Sequence, residues 1–179
     1  MLDYEKLVSM AKECGFTHAG PLDVSTLDFR QEVRDMCSSD KCNNYNKSWS
    51  CPPACGSLEK MRDNVKGYSQ GIIVQTVTQL EDSLDWEAMM DAAGNQRDSF
   101  LRMWEELFKS YPGMYAMGTG ACIKCEKCTY PDAPCRFPER LSSSMEACGL
   151  VVSQTCTDNG MKYNYGPNTL AYTGCFLLE

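Results

Sequence analysis

Leu2, Leu7, Val8 and Ala11 recur at helical spacing, and Gly15 stands where such a helix would stop, directly after Cys14. Residues 16–22, Phe-Thr-His-Ala-Gly-Pro-Leu, read as a short strand. A second helix is expected from Ser25 or Thr26 through Met36, with Leu27, Phe29 and Val33 on its apolar side. Ser57 can cap a third, carrying Leu58, Met61 and Val65 and ended by Gly67. The β-branched run Gly71–Thr78 predicts a strand of the main sheet. Helical spacing returns over Leu84–Met90 and Phe100–Phe108, with an interruption expected at Gly94-Asn95. After the Tyr111-Pro-Gly break, Met114–Gly118 is a short strand. Ser143-Ser-Met-Glu146 has capping-box spacing for a brief helix closed by Cys148 and Gly149. Another short helix spans Ser153–Asn159, and Thr169–Leu178 is a strand apolar on both faces, hence interior. The alternation predicts an α/β or α+β fold in a single domain over residues 1–179, with about four strands, flanking helices and two cysteine-rich loops extruded from the ends of the sheet.

Those loops, 37–56 and 120–138, are where the periodic pattern fails and the chemistry begins. In the second, Cys122, Cys125, Cys128 and Cys135 fall as C-x2-C-x2-C-x6-C. Successive C-x2-C steps let one tight loop present three thiolates to a common centre, and Pro131 and Pro134 stiffen the return of the fourth. The run C-x2-C-x2-C-x3-C-P holds four-iron clusters in bacterial ferredoxins, and here the last step is longer. A 4Fe-4S cluster is the expected occupant; a closed tetrahedral zinc site or a redox thiol set are the alternatives. In the first loop, Cys37, Cys42, Cys51 and Cys55 fall as C-x4-C-x8-C-x3-C among turn formers, a spacing that fits no zinc finger. It is loose enough to wrap a second cluster, with Pro52-Pro53 preventing helix after Cys51 and with Tyr45 and Trp49 available to exclude water.

Composition narrows the setting. Twelve cysteines would suit a secreted disulfide scaffold, but the N-terminus is acidic and lacks the apolar core of a signal peptide. A cytoplasmic location is expected, where clustered cysteines bind metal or do redox work. No apolar run reaches membrane-spanning length, and a net charge of −7 argues against a nucleic-acid groove. A redox partner protein with a basic docking surface is the expected partner. His18, the lone histidine, is expected to pack or lie on the surface, and Cys14, Cys148, Cys156 and Cys175 to be small buried hydrophobes.

The order Arg34-Asp-Met-Cys37, Cys42-x2-Tyr45, Trp49-x-Cys51-Pro-Pro-x-Cys55-Gly resembles a prokaryotic family of predicted metal-binding proteins with paired cysteine motifs. Cys122-x2-Cys125-x2-Cys128-Thr-Tyr-Pro, Pro134-Cys135-Arg-Phe-Pro and Ser144-Met-Glu146-Ala carry the same resemblance. It implies metal binding, inferred to be iron–sulfur, with Cys37, Cys42, Cys51 and Cys55 as one ligand set and Cys122, Cys125, Cys128 and Cys135 as the other. It implies no particular reaction. Three roles stand open. Two clusters in a small acidic protein would make an electron carrier. One cluster feeding a bound substrate or corrinoid-type cofactor would make a reductase, with Arg136, Tyr45, Trp49 or Tyr165 lining its pocket. Zinc would make a structural or redox-sensing protein. Arg136, next to Cys135, is either a cation tuning a cluster or a surface arginine paired with Asp132 or Glu139.

Overall fold

The computed structural model describes residues 2–179, and its architecture is α+β. Asp3 caps helix α1 (Tyr4–Glu13) by accepting from the Lys6 N–H at 3.1 Å, and Leu7 and Ala11 turn inward. Strand β1 (His18–Asp23) follows. The helix expected over 25–36 is shorter: a 3-10 turn at Val24–Thr26 is followed by an isolated bridge from Phe29 to Leu150, and α2 covers only Gln31–Met36. Pairing of Phe29 and Arg30 with the chain at 149–150 takes this stretch out of helical conformation; the Arg30 N–H donates to Gly149 O at 2.8 Å.

Ser57 caps α3 (Leu58–Val65) as its position suggests, accepting from the Lys60 N–H at 3.2 Å. Strand β2 is Gln70–Gln79, and α4 runs unbroken over Trp86–Phe108. Gly94 does not interrupt α4. Its propensity cost is about 1 kcal/mol, and the helix offsets it by burying one face: Ala92, Gln96, Phe100, Met103, Trp104 and Leu107. Strand β3 (Tyr115–Gly118), β4 (Ser143–Ser144), α5 (Val152–Asp158) and β5 (Thr169–Leu177) complete the chain.

The five strands, one more than expected, lie in the order β1-β2-β5-β3-β4. All neighbours are antiparallel except β3 and β4, where Met117 faces Ser143 and Gly118 faces Ser144 in parallel. The capping-box segment is thus an edge strand followed by one turn. The Ser144 hydroxyl accepts from Ala147 N at 3.0 Å, and the Cys148 N–H closes on Ser144 O at 3.0 Å.

Both faces of the sheet are covered, which is why Ile72–Val74 of β2 and Cys175–Leu177 of β5 are apolar at every position. Ile72, Val74 and Phe176 pack with α1 and α4; Ile73, Cys175 and Leu177 pack on the other side with α3, α5 and Met145. No helix of the described residues is long and apolar enough to cross a membrane.

Candidate metal centre

The first cysteine loop leaves α2 and returns at the cap of α3. Asp40, Asn43 and Asn46 take left-handed backbone at φ 50, 57 and 55°, the turn chemistry that folds this segment on itself. Asp40 Oδ1 accepts from the Tyr45 N–H at 2.8 Å, and Asn46 N donates to Pro52 O at 2.8 Å. Cys51 and Cys55 are buried, Cys37 is half-buried and Cys42 exposed. The four thiols are close enough to act on one another. Burial pushes Cys51 up to about 11; the Ser50 hydroxyl opposes this, and thiolates at Cys42, Cys55 and Cys37 add to it. Cys37 is likewise raised, by burial first and then by Cys42, Glu146 and Cys55.

One cation answers these charges. Arg34 is the buried residue of α2, and its Nη2 donates to Gly56 O and, at 3.6 Å, to Cys55 Sγ. Burial raises Cys55, while the Arg34 charge and the hydrogen bonds from Arg34 and Ser143 pull it down. Arg34 Nη1 is buried with no hydrogen-bond partner. A buried guanidinium with an unused donor, touching Cys55 and acting on Cys37, suits an anionic neighbour. The donor set and this cation therefore fit an anionic, thiolate-ligated metal centre.

The second loop leaves the end of β3 and returns to β4, so it forms the crossover that a parallel pair requires. All four of its cysteines, each half-buried, line one pocket with Ser48, Arg136 and Phe137, partly open to solvent. Cys128 is the thiol prepared for ionisation. Burial works against it, but the N–H groups of Trp49, Tyr130 and Thr129 and the Ser48 hydroxyl bring its pKa below the ordinary thiol value. Arg136 is exposed, lines this pocket and donates to Lys127 O at 2.9 Å; no ion pair with Asp132 or Glu139 occurs among the described residues.

The two loops are not at opposite ends of the sheet, as expected, but pack on each other. The Ser50 hydroxyl accepts from the Cys122 N–H at 2.8 Å and lies 3.8 Å from Cys51 Sγ. The Trp49 indole donates to Ala133 O at 3.1 Å, and its ring meets Tyr130 edge-on at 4.9 Å. Cys55 and Cys135 line one opening together with Trp49. Trp49 therefore joins the loops, and Tyr45 braces the first through its backbone. Tyr165 instead stacks on His18 at 5.0 Å and donates to Gln75 Oε1 at 2.7 Å.

Ser48 and Ser50 stand out in no pattern, and Arg34 enters only as the first residue of the Arg34-Asp-Met-Cys37 motif, with no role attached. Arg34 sits in a short polar helix, and its only signal is its place three residues before Cys37. The serines flank Trp49, and only the fold shows that they are buried.

Cys14, Cys148, Cys156 and Cys175 are buried free thiols. Burial pushes Cys148 up to about 12 from the ordinary 9.0, the Tyr115 hydroxyl opposing and Cys55 adding. The fold holds this thiol neutral while the unfolded chain ionises it, so its contribution is complete below pH 9.0 and is lost as the pH rises toward about 12. Cys148→Ala is expected to leave metal content unchanged and to cost about 0.5–3 kcal/mol at neutral pH. Its alkaline loss of stability in thermal melts should be shallower than that of the parent. Loss of metal would place Cys148 among the ligands.

Among the described residues, no three His, Cys, Asp or Glu side chains stand close enough to hold a single metal ion. No curated protein and no solved structure matches the chain. A family model described as "Predicted metal-binding protein (DUF2284)" matches residues 20–178: the chain belongs to that family.

Proposed function

We propose that this metal-binding protein holds two 4Fe-4S clusters, one on Cys37, Cys42, Cys51 and Cys55 and one on Cys122, Cys125, Cys128 and Cys135, and that it passes electrons to a redox partner. The observation that carries this reading is the packing of the two thiol sets side by side through Ser50 and Trp49. Such clusters, when bound, take up and release one electron at a time. The chain's own residues then have distinct parts. Arg34 balances thiolate charge at the first set. Backbone N–H groups around Cys128 do so at the second, favouring the reduced state by hydrogen bonding to sulfur. Zinc would need the thiols of either set to close on a single point.

The chain's net charge of −7 suits a basic docking surface on the partner. Arg136, exposed beside the second set, adds a positive charge that favours reduction there. Potentiometric titration followed by electron paramagnetic resonance should give two reducible centres. In Arg136→Gln, full iron content should persist and one potential should move negative. Two unshifted potentials would leave Arg136 a surface residue, and a spectroscopically silent protein would overturn electron transfer.

A further inference from the structure

A second pocket adjoins the Cys122 set without belonging to it. It lies between α4 and the start of the second cysteine loop and is partly open to solvent. Phe100, Leu101, Trp104 and Ile123 give it an apolar lining, and Cys122 lines it as well. Phe100 and Trp104 are held rigidly: their rings meet at 6.0 Å, and each packs against Phe176, at 4.6 and 6.5 Å. Trp104 is 5% exposed, and its buried indole N–H has no hydrogen-bond partner.

The polar side of the pocket is cationic in a chain whose net charge is −7. Arg97, Lys124 and Arg140 line it against one carboxylate, Glu105. That carboxylate, itself 59% exposed, serves two of the cations loosely, at 3.9 Å from Lys124 Nζ and 3.6 Å from Arg140 Nη1. Among the described residues Arg97 has no ion-pair partner. Pairs of this length to an exposed carboxylate are worth little; Lys124 and Arg140, each half-buried, also lie over the Phe137 and Phe108 rings, at 6.0 and 5.6 Å.

We propose that this pocket binds a small organic carboxylate with a flat apolar body, the ring lying on the Phe100–Trp104 wall and the carboxylate among Lys124, Arg140 and Arg97. Convergent cations beside a preformed aromatic wall are the elements of a ligand site. The wall at Cys122 places the ligand beside the second thiol set; that consequence, unlike the binding itself, rests on the iron–sulfur reading. An anionic ligand there would shift the potential of that set to more negative values.

Equilibrium dialysis and saturation-transfer difference NMR of the metal-loaded protein, with benzoate as probe, test the proposal. Benzoate should bind at a single site, and benzyl alcohol and inorganic phosphate at least about tenfold more weakly, since each supplies only half of the recognition. Arg140→Gln and Lys124→Gln, at half-buried side chains, should each weaken benzoate about tenfold, with circular dichroism and melting temperature checked to show that each variant is folded. Equal binding of benzyl alcohol or of phosphate, unchanged affinity in both variants, or no benzoate binding would overturn it. Iron and sulfide measured on the same samples keep the two readings apart, because a zinc-loaded protein that still binds benzoate would refute only the clusters.

Discussion

Replacing Cys128 by alanine is expected to remove one of two centres, lowering iron and acid-labile sulfide from about eight to about four of each per chain. Cys128 is the motif thiol whose surroundings most favour the anion. Three backbone N–H groups and the Ser48 hydroxyl outweigh the opposing effect of burial, so its thiolate is stabilised before any metal arrives. Two of those donors have a structural consequence as well. Trp49 N–H and Ser48 Oγ belong to the first loop, so a thiol of one set is stabilised by the segment that carries the other. The first set should nevertheless survive the substitution, because Cys51 and Cys55 are buried and held by contacts within their own loop and with Arg34 and Ser143. Visible absorption of the anaerobic protein should fall by about half, in step with the iron. An unchanged iron content would exclude Cys128 as a ligand. Complete loss would show that the two loops load as a unit.

Arg34→Met carries the second large effect. The guanidinium is 7% exposed, donates to Gly56 O and Cys55 Sγ, and leaves Nη1 unused. Removing one partner of a buried charge pair costs about 3–5 kcal/mol, because the remaining charge is left without compensation. Here the remaining charge belongs to the thiolates of Cys37, Cys42, Cys51 and Cys55. Their pKa values are already pushed upward by burial or by one another at Cys37, Cys51 and Cys55, and Arg34 is the cation that resists this at Cys55. The expected result is loss of the first centre, about half of the iron, with the second retained. Arg34→Lys keeps a charge but not the fork of donors, and should load partially and with a more negative potential than the parent. Full iron, an unchanged potential and an unchanged melting temperature in Arg34→Met would make Arg34 a bystander.

Much of the scaffold was legible because its signals are local. The Ser57 cap, the β-branched 71–78 run and the doubly apolar 169–177 run each depend on neighbours in sequence, and each element formed. Where distant pairing decides, the local signal failed. Ser143 and Ser144 read as a helix start, but β3 recruits them as an edge strand, and the cap at Ser144 closes only one turn. Gly94 read as a break because a glycine's cost is local, whereas the buried face that holds α4 together spans the whole helix.

The candidate site shows the same division. Cysteine spacing suggests two sets of four, and the structure puts Cys122, Cys125, Cys128 and Cys135 around one pocket. The spacing carried no information on where the loops sit relative to one another. The contacts that join them, Ser50 to Cys122 and Trp49 to Ala133, link residues far apart in the chain and are made by residue types that ordinarily mark turns or cores. The burial of Arg34 was hidden for a related reason: a polar six-residue helix gives no periodicity from which an inward face can be read.

The most direct test of the two-cluster account is metal and acid-labile sulfide analysis of protein purified without oxygen. Two sets of four cysteines predict about eight iron and about eight sulfide per chain, with no stoichiometric zinc. Stoichiometric zinc without sulfide would contradict the account outright.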